Sequence, residues 1–442
     1  MTGFTIRTII LVLVLAAELP AGEKLRFEQS EFTVEASGWT AWSDRSETMP
    51  RTWVENLVSL GQPGSLAVSG NGNLGSFGGW QRVLQGIEAG TWYRLTVHYR
   101  STGFTSENWQ IQPRLDWRKT NGERAGEVDY AYRSTREGEW TNVTLQTQAP
   151  KDSDAVAIQL FLAHAPQGTV WWDDIRFERV AAPAPRLVTI ASVNLRPKGT
   201  GSSEKSVEQF IETAERVVPA KVDLVVLPEG ITVVGTEKRY AEVAEPVPGP
   251  TTKRLGEFAR RHKTYLVAGL YEREGQAVYN TAVLLDREGQ VAGKYRKVYL
   301  PREEMQQLTP GNDYPVFQTD FGALGIMICY DVFYADAARG LTAGGAEIVA
   351  MPIWGGDETL AKARAIENQI YLVASGYDHP TYIMNPSGEW LAVARERGSA
   401  AIATIDLNKC LRQPDNNLGD MRNRLPKELR LDVATGIPGR AK

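Results

Sequence analysis

The sequence predicts two domains of different class, an all-β sandwich followed by an α/β domain, and three observations carry that expectation. Residues 25–180 show short period-two alternation broken by glycine, asparagine and serine. Beyond residue 187 the rhythm changes to strand, helix, strand, which is the pattern of an α/β domain with buried sheets. Between them, two prolines among small residues in Ala181-Ala-Pro-Ala-Pro185 stiffen the chain and stop either flanking strand from continuing. At 442 residues the chain is long enough for two cores. The expected divisions are 1–22, 23–180, a linker at 181–186, 187–407 and a tail at 408–442.

The opening segment has the three-part layout of a secretory signal peptide. Arg7 precedes the apolar run Thr8-Ile-Ile-Leu-Val-Leu-Val-Leu-Ala-Ala17, and small residues follow at Ala21 and Gly22. The run is short for a membrane span, so export to the periplasm or exterior is expected, with an uncleaved anchor as the alternative. No later segment approaches about 18 continuous apolar residues, so the remainder reads as soluble. The formal charge of -4 offers no basic field, which argues against nucleic acid or an anionic membrane surface as partner.

In the first half, Trp92-Tyr-Arg-Leu-Thr-Val-His-Tyr99 and Ala155-Val-Ala-Ile-Gln-Leu-Phe-Leu162 alternate as half-buried strands do. Ten of the twelve tryptophans fall here, either as platforms for sugar rings or as large core residues, and the core reading is preferred. Gly168-Thr-Val-Trp-Trp-Asp-Asp-Ile-Arg-Phe177 is similar to the last strand of galactose-binding-like jelly rolls and carbohydrate-binding modules. That resemblance implies a jelly-roll-like sandwich with a glycan-binding or docking role, and it nominates no sugar contacts.

In the second half, Leu187–Val193, Val222–Leu227 and Tyr265–Leu270 read as strands, and Glu204–Val218 and Thr251–His262 as helices. Strands at 278–285 and 291–299 follow, joined by a turn at Asp286-Arg-Glu-Gly289. Gly325-Ile-Met-Ile-Cys-Tyr-Asp331 then delivers Cys329 from a buried strand to a turn, before a helix reaching about Thr342. Alone, Cys329 is as readily an inert core residue as a nucleophile. Cys410, the other cysteine, lies in a polar stretch, so no disulfide framework competes for an explanation.

Two further strand ends carry chemistry. Glu229 in Val226-Leu-Pro-Glu-Gly230 suits a general base, and Lys297 in Lys294-Tyr-Arg-Lys-Val-Tyr-Leu-Pro301 places a cation. The four histidines are scattered without metal spacing, so neither metal nor organic cofactor is expected. His379 offers only a weaker cysteine-histidine alternative.

Five ordered motifs then resemble the nitrilase superfamily of carbon-nitrogen hydrolases. They are Leu227-Pro-Glu-Gly230, Tyr295-Arg-Lys297, Thr309-Pro-Gly311, Cys329-Tyr-Asp331 and Arg364-Ala-Ile-Glu-Asn368, within about 187–407. The resemblance implies a four-layer α-β-β-α sandwich, a Glu229-Lys297-Cys329 triad, and homo-oligomers paired through the helices flanking the nucleophile. It also implies a second glutamate before the Pro-Gly, for which spacing favours Glu304 over Glu303. Lys297 and the Tyr330 backbone N–H would stabilise the oxyanion, Trp354 would wall the pocket or serve packing, and Arg364 with Glu367 would form a structural ion pair.

The chain departs from the pattern at Val332-Phe-Tyr-Ala-Asp336, where Phe333 replaces an arginine that many amidase-type members carry. Selection of a distal substrate carboxylate is therefore doubtful. The expected activity is metal-free hydrolysis of a small-molecule amide through a thioester, preferred to a nitrile because Cys329-Tyr-Asp331 is more like the amide hydrolases of the family than its true nitrilases. The rivals are a carbohydrate-binding protein with an inactive hydrolase domain and an N-acyltransferase on the same scaffold.

Overall fold

The computed structural model describes residues 25–26, 38–61, 64–377, 380–409 and 421–430. The expected leader, Cys410 and His379 lie outside the described residues. The chain forms two compact units, Met1–Ala182 with Arg412–Lys442, and Pro183–Leu411. Among the described residues, no helix is long and apolar enough to cross a membrane.

The first unit is built from two antiparallel sheets. One runs in the order Arg51–Glu55, Ser65–Ser69, Thr169–Val180, Trp92–Thr102, Trp140–Gln148 and Arg133–Glu137, with Leu25–Arg26 paired to Thr169–Val180. The other runs Thr40–Trp42, Phe77–Gln85, Ala155–Ala163, Ile111–Arg118 and Asp129–Tyr130. Alternate residues of both sheets meet in one core, with Trp39, Trp117 and Trp172 among its largest buried side chains. These tryptophans therefore serve packing. The helix Met421–Glu428, on the segment expected as a tail, belongs to this unit, where Lys427 Nζ donates to Ile111 O at 3.1 Å.

The second unit holds two six-stranded mixed sheets. The first runs Val291–Arg296, Ala277–Leu285, Tyr265–Glu274, Leu224–Val226, Leu187–Asn194 and Ser399–Asp406. The second runs Val316–Gln318, Ala323–Ile326, Ile348–Pro352, Tyr371–Ser375, Thr381–Met384 and Trp390–Ala394. One buried cluster draws Ile190, Val226 and Leu284 from the first sheet and Ile326, Ala350 and Val373 from the second. Ser192 and Ser375 donate to Ala374 O and Val193 O, at 2.8 and 2.7 Å, tying one sheet to the other through satisfied hydroxyls.

The helices follow their apolar spacing. Ser203–Val217 buries Val207, Phe210 and Ala214, and Pro250–His262 buries Leu255, Phe258 and Ala259, all in a cluster with the first sheet. Ser202 caps the first of these by accepting from Lys205 N–H, and Pro250 opens the second, where its missing N–H costs nothing. Ala335–Ala343 and Glu358–Asn368 pack on the second sheet through Ala338, Leu341, Ala361 and Ala365. Each fully buried Leu or Phe contributes roughly 1.5–3 kcal/mol, so the sheets and helices form a stiff frame.

Two expected elements differ in their bounds. The strand expected over 291–299 ends at Arg296, because Lys297 gives its N–H to Asn280 O while its C=O takes the N–H of Gly311 from the following loop. The helix expected directly after Cys329 is first a 3₁₀ turn, Cys329–Phe333. Extended backbone at Tyr334 separates it from the α-helix that begins at Ala335.

Candidate active site

Glu229 stands where the strand Leu224–Val226 gives way to Leu227-Pro228. Proline cannot donate to the ladder, so the chain turns out of the sheet here. The neighbouring strand still fixes the turn: Gly269 N–H donates to Pro228 O and Ile231 N–H donates to Gly269 O, at 3.0 and 2.8 Å. Gly269 is required for this approach, since a Cβ there would lie 2.6 Å from Glu229 Cα. Gly230 takes a φ of +62°, which suits glycine.

Lys297 is clamped by its backbone to Asn280 and Gly311, at 2.9 and 2.8 Å. The glycine of Thr309-Pro-Gly311 thereby has a physical reason: a Cβ at Gly311 would sit 2.1 Å from Arg296 O. Glu304 lies on the short helix Arg302–Met305, which buries Glu304 and leaves Glu303 and Met305 exposed.

These residues converge on one buried network. Lys297 Nζ donates to Glu229 Oε1 and Glu304 Oε2, each at 2.9 Å. Asn280 Nδ2 donates to Glu229 Oε1 at 2.7 Å and to Glu304 Oε1 at 3.0 Å. Glu229, Asn280, Lys297 and Glu304 are all at most 5% exposed, so the charges act with little water between them. Burial opposes the Lys297 charge, but Glu229 and Glu304 overcome it and hold its pKa well above the ordinary lysine value. Burial pushes the Glu304 carboxyl upward, against the pull of Lys297. Glu229 Oε2 and Asn280 Oδ1 are buried and have no hydrogen-bond partner.

Cys329 ends the buried path from the strand Ala323–Ile326 and adopts a φ of +42°, a left-handed conformation disfavoured for a side-chain-bearing residue. It is half-buried, and its Sγ donates to Gly355 O at 3.2 Å. Burial and the charge of Glu229 push the thiol up to about 12, and Lys297 acts in the opposite direction. At neutral pH the resting sulfur is therefore a thiol beside the Lys297 ammonium.

The remaining expected residues fall around this centre. Tyr330 follows Cys329, its ring 5.1 Å from that of the half-exposed Phe333. Trp354 follows the strand Ile348–Pro352 and packs edge-on to Tyr377 at 4.9 Å, with 38% of its surface open. Its six-membered ring lies beside Gly230, so it borders the Glu229 turn. Arg364 pairs with Glu367 at 2.9 Å and donates to Val332 O, fixing the Glu358–Asn368 helix to the Cys329–Phe333 turn.

Three contributors were missed by sequence reasoning. Asn280 bridges both glutamates, and its one signal was a polar amide within the apolar run Val278–Leu285, where strands rarely use asparagine. Tyr377 donates its hydroxyl to Glu229 O, and Tyr271 stacks on Tyr240 at 4.5 Å near the glutamates, but neither carried a motif.

A carbon-nitrogen hydrolase family model matches residues 189–414, just over half of the chain and including every member of this network. The chain belongs to the carbon-nitrogen hydrolase family. This hydrolase is 31% identical over 255 residues to a nitrilase of Pyrococcus abyssi, a match covering 53% of this chain and 96% of that protein. It is 29% identical over 234 residues to the omega-amidase NIT2 of Homo sapiens, covering 46% of this chain and 80% of that protein. Among solved structures, it is similar to an amidase from Nesterenkonia sp., with 25% identity, 51% of this chain and 92% of that chain covered, and a TM-score of 0.45.

Proposed function

We propose that this hydrolase cleaves a small carboxamide through a thioester on Cys329, with Glu229 as general base and Lys297 as oxyanion partner. The observation that carries the reading is the asymmetry of Glu229. One carboxylate oxygen is held by Lys297 and Asn280, while Oε2 is buried without a partner, close enough to Cys329 for its charge to act on the thiol.

Glu229 takes the thiol proton as sulfur attacks the carbonyl carbon, and the C=O electron pair moves to oxygen. The Lys297 ammonium and the Tyr330 N–H stabilise that oxyanion, a single such donor being worth about 3–4 kcal/mol. The oxyanion collapses, the C–N bond breaks, and the nitrogen leaves as ammonia or amine with the proton from Glu229. Water then gives a proton to Glu229, attacks the thioester and releases the acid, returning the proton to sulfur. Glu304 keeps Lys297 charged and placed, and Trp354 walls the acyl pocket.

An amide is favoured over a nitrile because Cys329-Tyr-Asp331 is more like the nucleophile motif of the amide hydrolases than that of true nitrilases. The shared core between the two six-stranded sheets, with helices against each, supports a four-layer α-β-β-α arrangement for this unit. The two antiparallel sheets around one core support a jelly-roll-like sandwich for the other. The test is ammonia release from a panel of primary amides and nitriles, with Cys329→Ala as control. Release that persists in Cys329→Ala would overturn the proposal.

A further inference from the structure

Asp331 lies two residues beyond the nucleophile, is fully buried, and touches neither Glu229 nor Glu304 through a hydrogen bond. Its Oδ2 accepts from Ile328 N–H at 2.8 Å and from the Tyr295 hydroxyl at 2.8 Å. Its Oδ1 accepts from Tyr299 N–H at 3.0 Å. Ile328 directly precedes Cys329, whereas Tyr295 and Tyr299 stand two residues before and two after Lys297. One carboxylate therefore grips the nucleophile turn and both flanks of the lysine segment.

We propose that Asp331 is a positioning residue that sets the placement of the Cys329 sulfur relative to the Lys297 ammonium by holding both segments on one side chain. The inference rests on the reading that these two residues perform the chemistry. Cys329 needs such a hold because its φ of +42° is strained, and such strain persists only where the surroundings over-determine it. Three donors on one carboxylate supply the constraint, and the Ile328 bond closes the turn from its own side chain. Burial raises the Asp331 pKa to about 6 against the opposing pull of its three hydrogen bonds and Lys297, so the carboxylate is charged above that pH.

An asparagine at this position keeps the volume but carries only one acceptor oxygen. Whichever way its amide is set, the NH₂ faces either Tyr299 N–H or Ile328 N–H, and one tether is lost. The test is saturation alkylation of Cys329 by iodoacetamide, itself a small primary amide, followed by peptide mass spectrometry with Cys410 as internal comparator. Asp331→Asn is expected to lower the maximal alkylation rate by about tenfold or more with the half-saturating concentration unchanged, as small misplacements do. The melting temperature should fall by a few degrees, since one buried N–H is left unpaired, with the variant still folded at the assay temperature.

Tyr295→Phe, which keeps the charge and removes one donor, should lower the rate in the same direction by a smaller factor. An unchanged or faster rate in folded Asp331→Asn overturns the proposal, since removing a nearby negative charge or exposing the thiol would each speed alkylation. If Asp331→Asn does not fold, Tyr295→Phe decides, and an unchanged rate there overturns it. Should wild-type Cys329 react no faster than Cys410, or Glu229→Gln leave its rate unchanged, the reading of the site fails instead.

Discussion

Asn280 and Lys297 donate to the same oxygen of Glu229, at 2.7 and 2.9 Å, and each also donates to Glu304. A neutral amide and an ammonium thus close a ring over two carboxylates. The ring fixes the rotation of Glu229, and so fixes where its unpartnered Oε2 lies.

Asn280→Ala removes a donor from both glutamates while leaving the ion pair in place. Stability should fall by about 1–3 kcal/mol, the usual result of leaving buried acceptors unpaired. Ammonia release should fall by at least about tenfold. Urea unfolding and a turnover assay on the purified variant check both.

Lys297→Met keeps a similar volume and removes the charge. Two buried carboxylates then face each other without a cation, and breaking a buried pair from one side costs about 3–5 kcal/mol. Denaturant midpoints measure the loss, and Glu229→Gln combined with Lys297→Met should recover part of it. Turnover should be absent in both variants.

Glu229→Gln retains the shape of the base but cannot take a proton. The expected loss in turnover is about a hundred- to ten-thousand-fold, the range of a positioned general base. Single-turnover assays with a responsive amide read it directly.

The thiol supplies a pH prediction with a definite sign. Burial raises the Cys329 pKa in the folded chain from 9.0 to about 12, so the folded state disfavours the thiolate. The corresponding stability is fully present below about 9 and is lost as pH rises through about 12. Melting temperatures of wild type and Cys329→Ala should therefore draw together or cross above pH 9, with wild type the more base-sensitive.

Gly269→Ala tests the backbone half of the site. The added Cβ meets Glu229 Cα at 2.6 Å, and neither atom belongs to a flexible side chain. Destabilisation of about 1–3 kcal/mol is expected from such overpacking, with turnover reduced alongside it, as urea unfolding and ammonia release from the variant would show.

Much of the site was legible because its residues sit in local motifs: Glu229 after Leu-Pro, Lys297 before the Thr-Pro-Gly loop, and Cys329 at a strand-to-turn junction. The preference for Glu304 over Glu303 followed from spacing, and the short helix places only Glu304 against Lys297. Asn280 was not legible, since its role exists only after two strands and a helix have met. Asp331 was visible as a letter of a motif, but its grip on Tyr295 and Tyr299 spans more than 30 residues. The strand pairing of the first unit was equally hidden, because Thr169–Val180 inserts between Ser65–Ser69 and Trp92–Thr102, and non-local register has no local signal.

The most direct test of the central claim is the mass of the Cys329 peptide after acid quench during turnover of an amide. A mass increase equal to the amide minus ammonia, confined to that peptide and absent in Cys329→Ala, is the predicted result. Steady ammonia release with no acyl adduct on Cys329 at any quench time, and with Cys329→Ala still active, would contradict it.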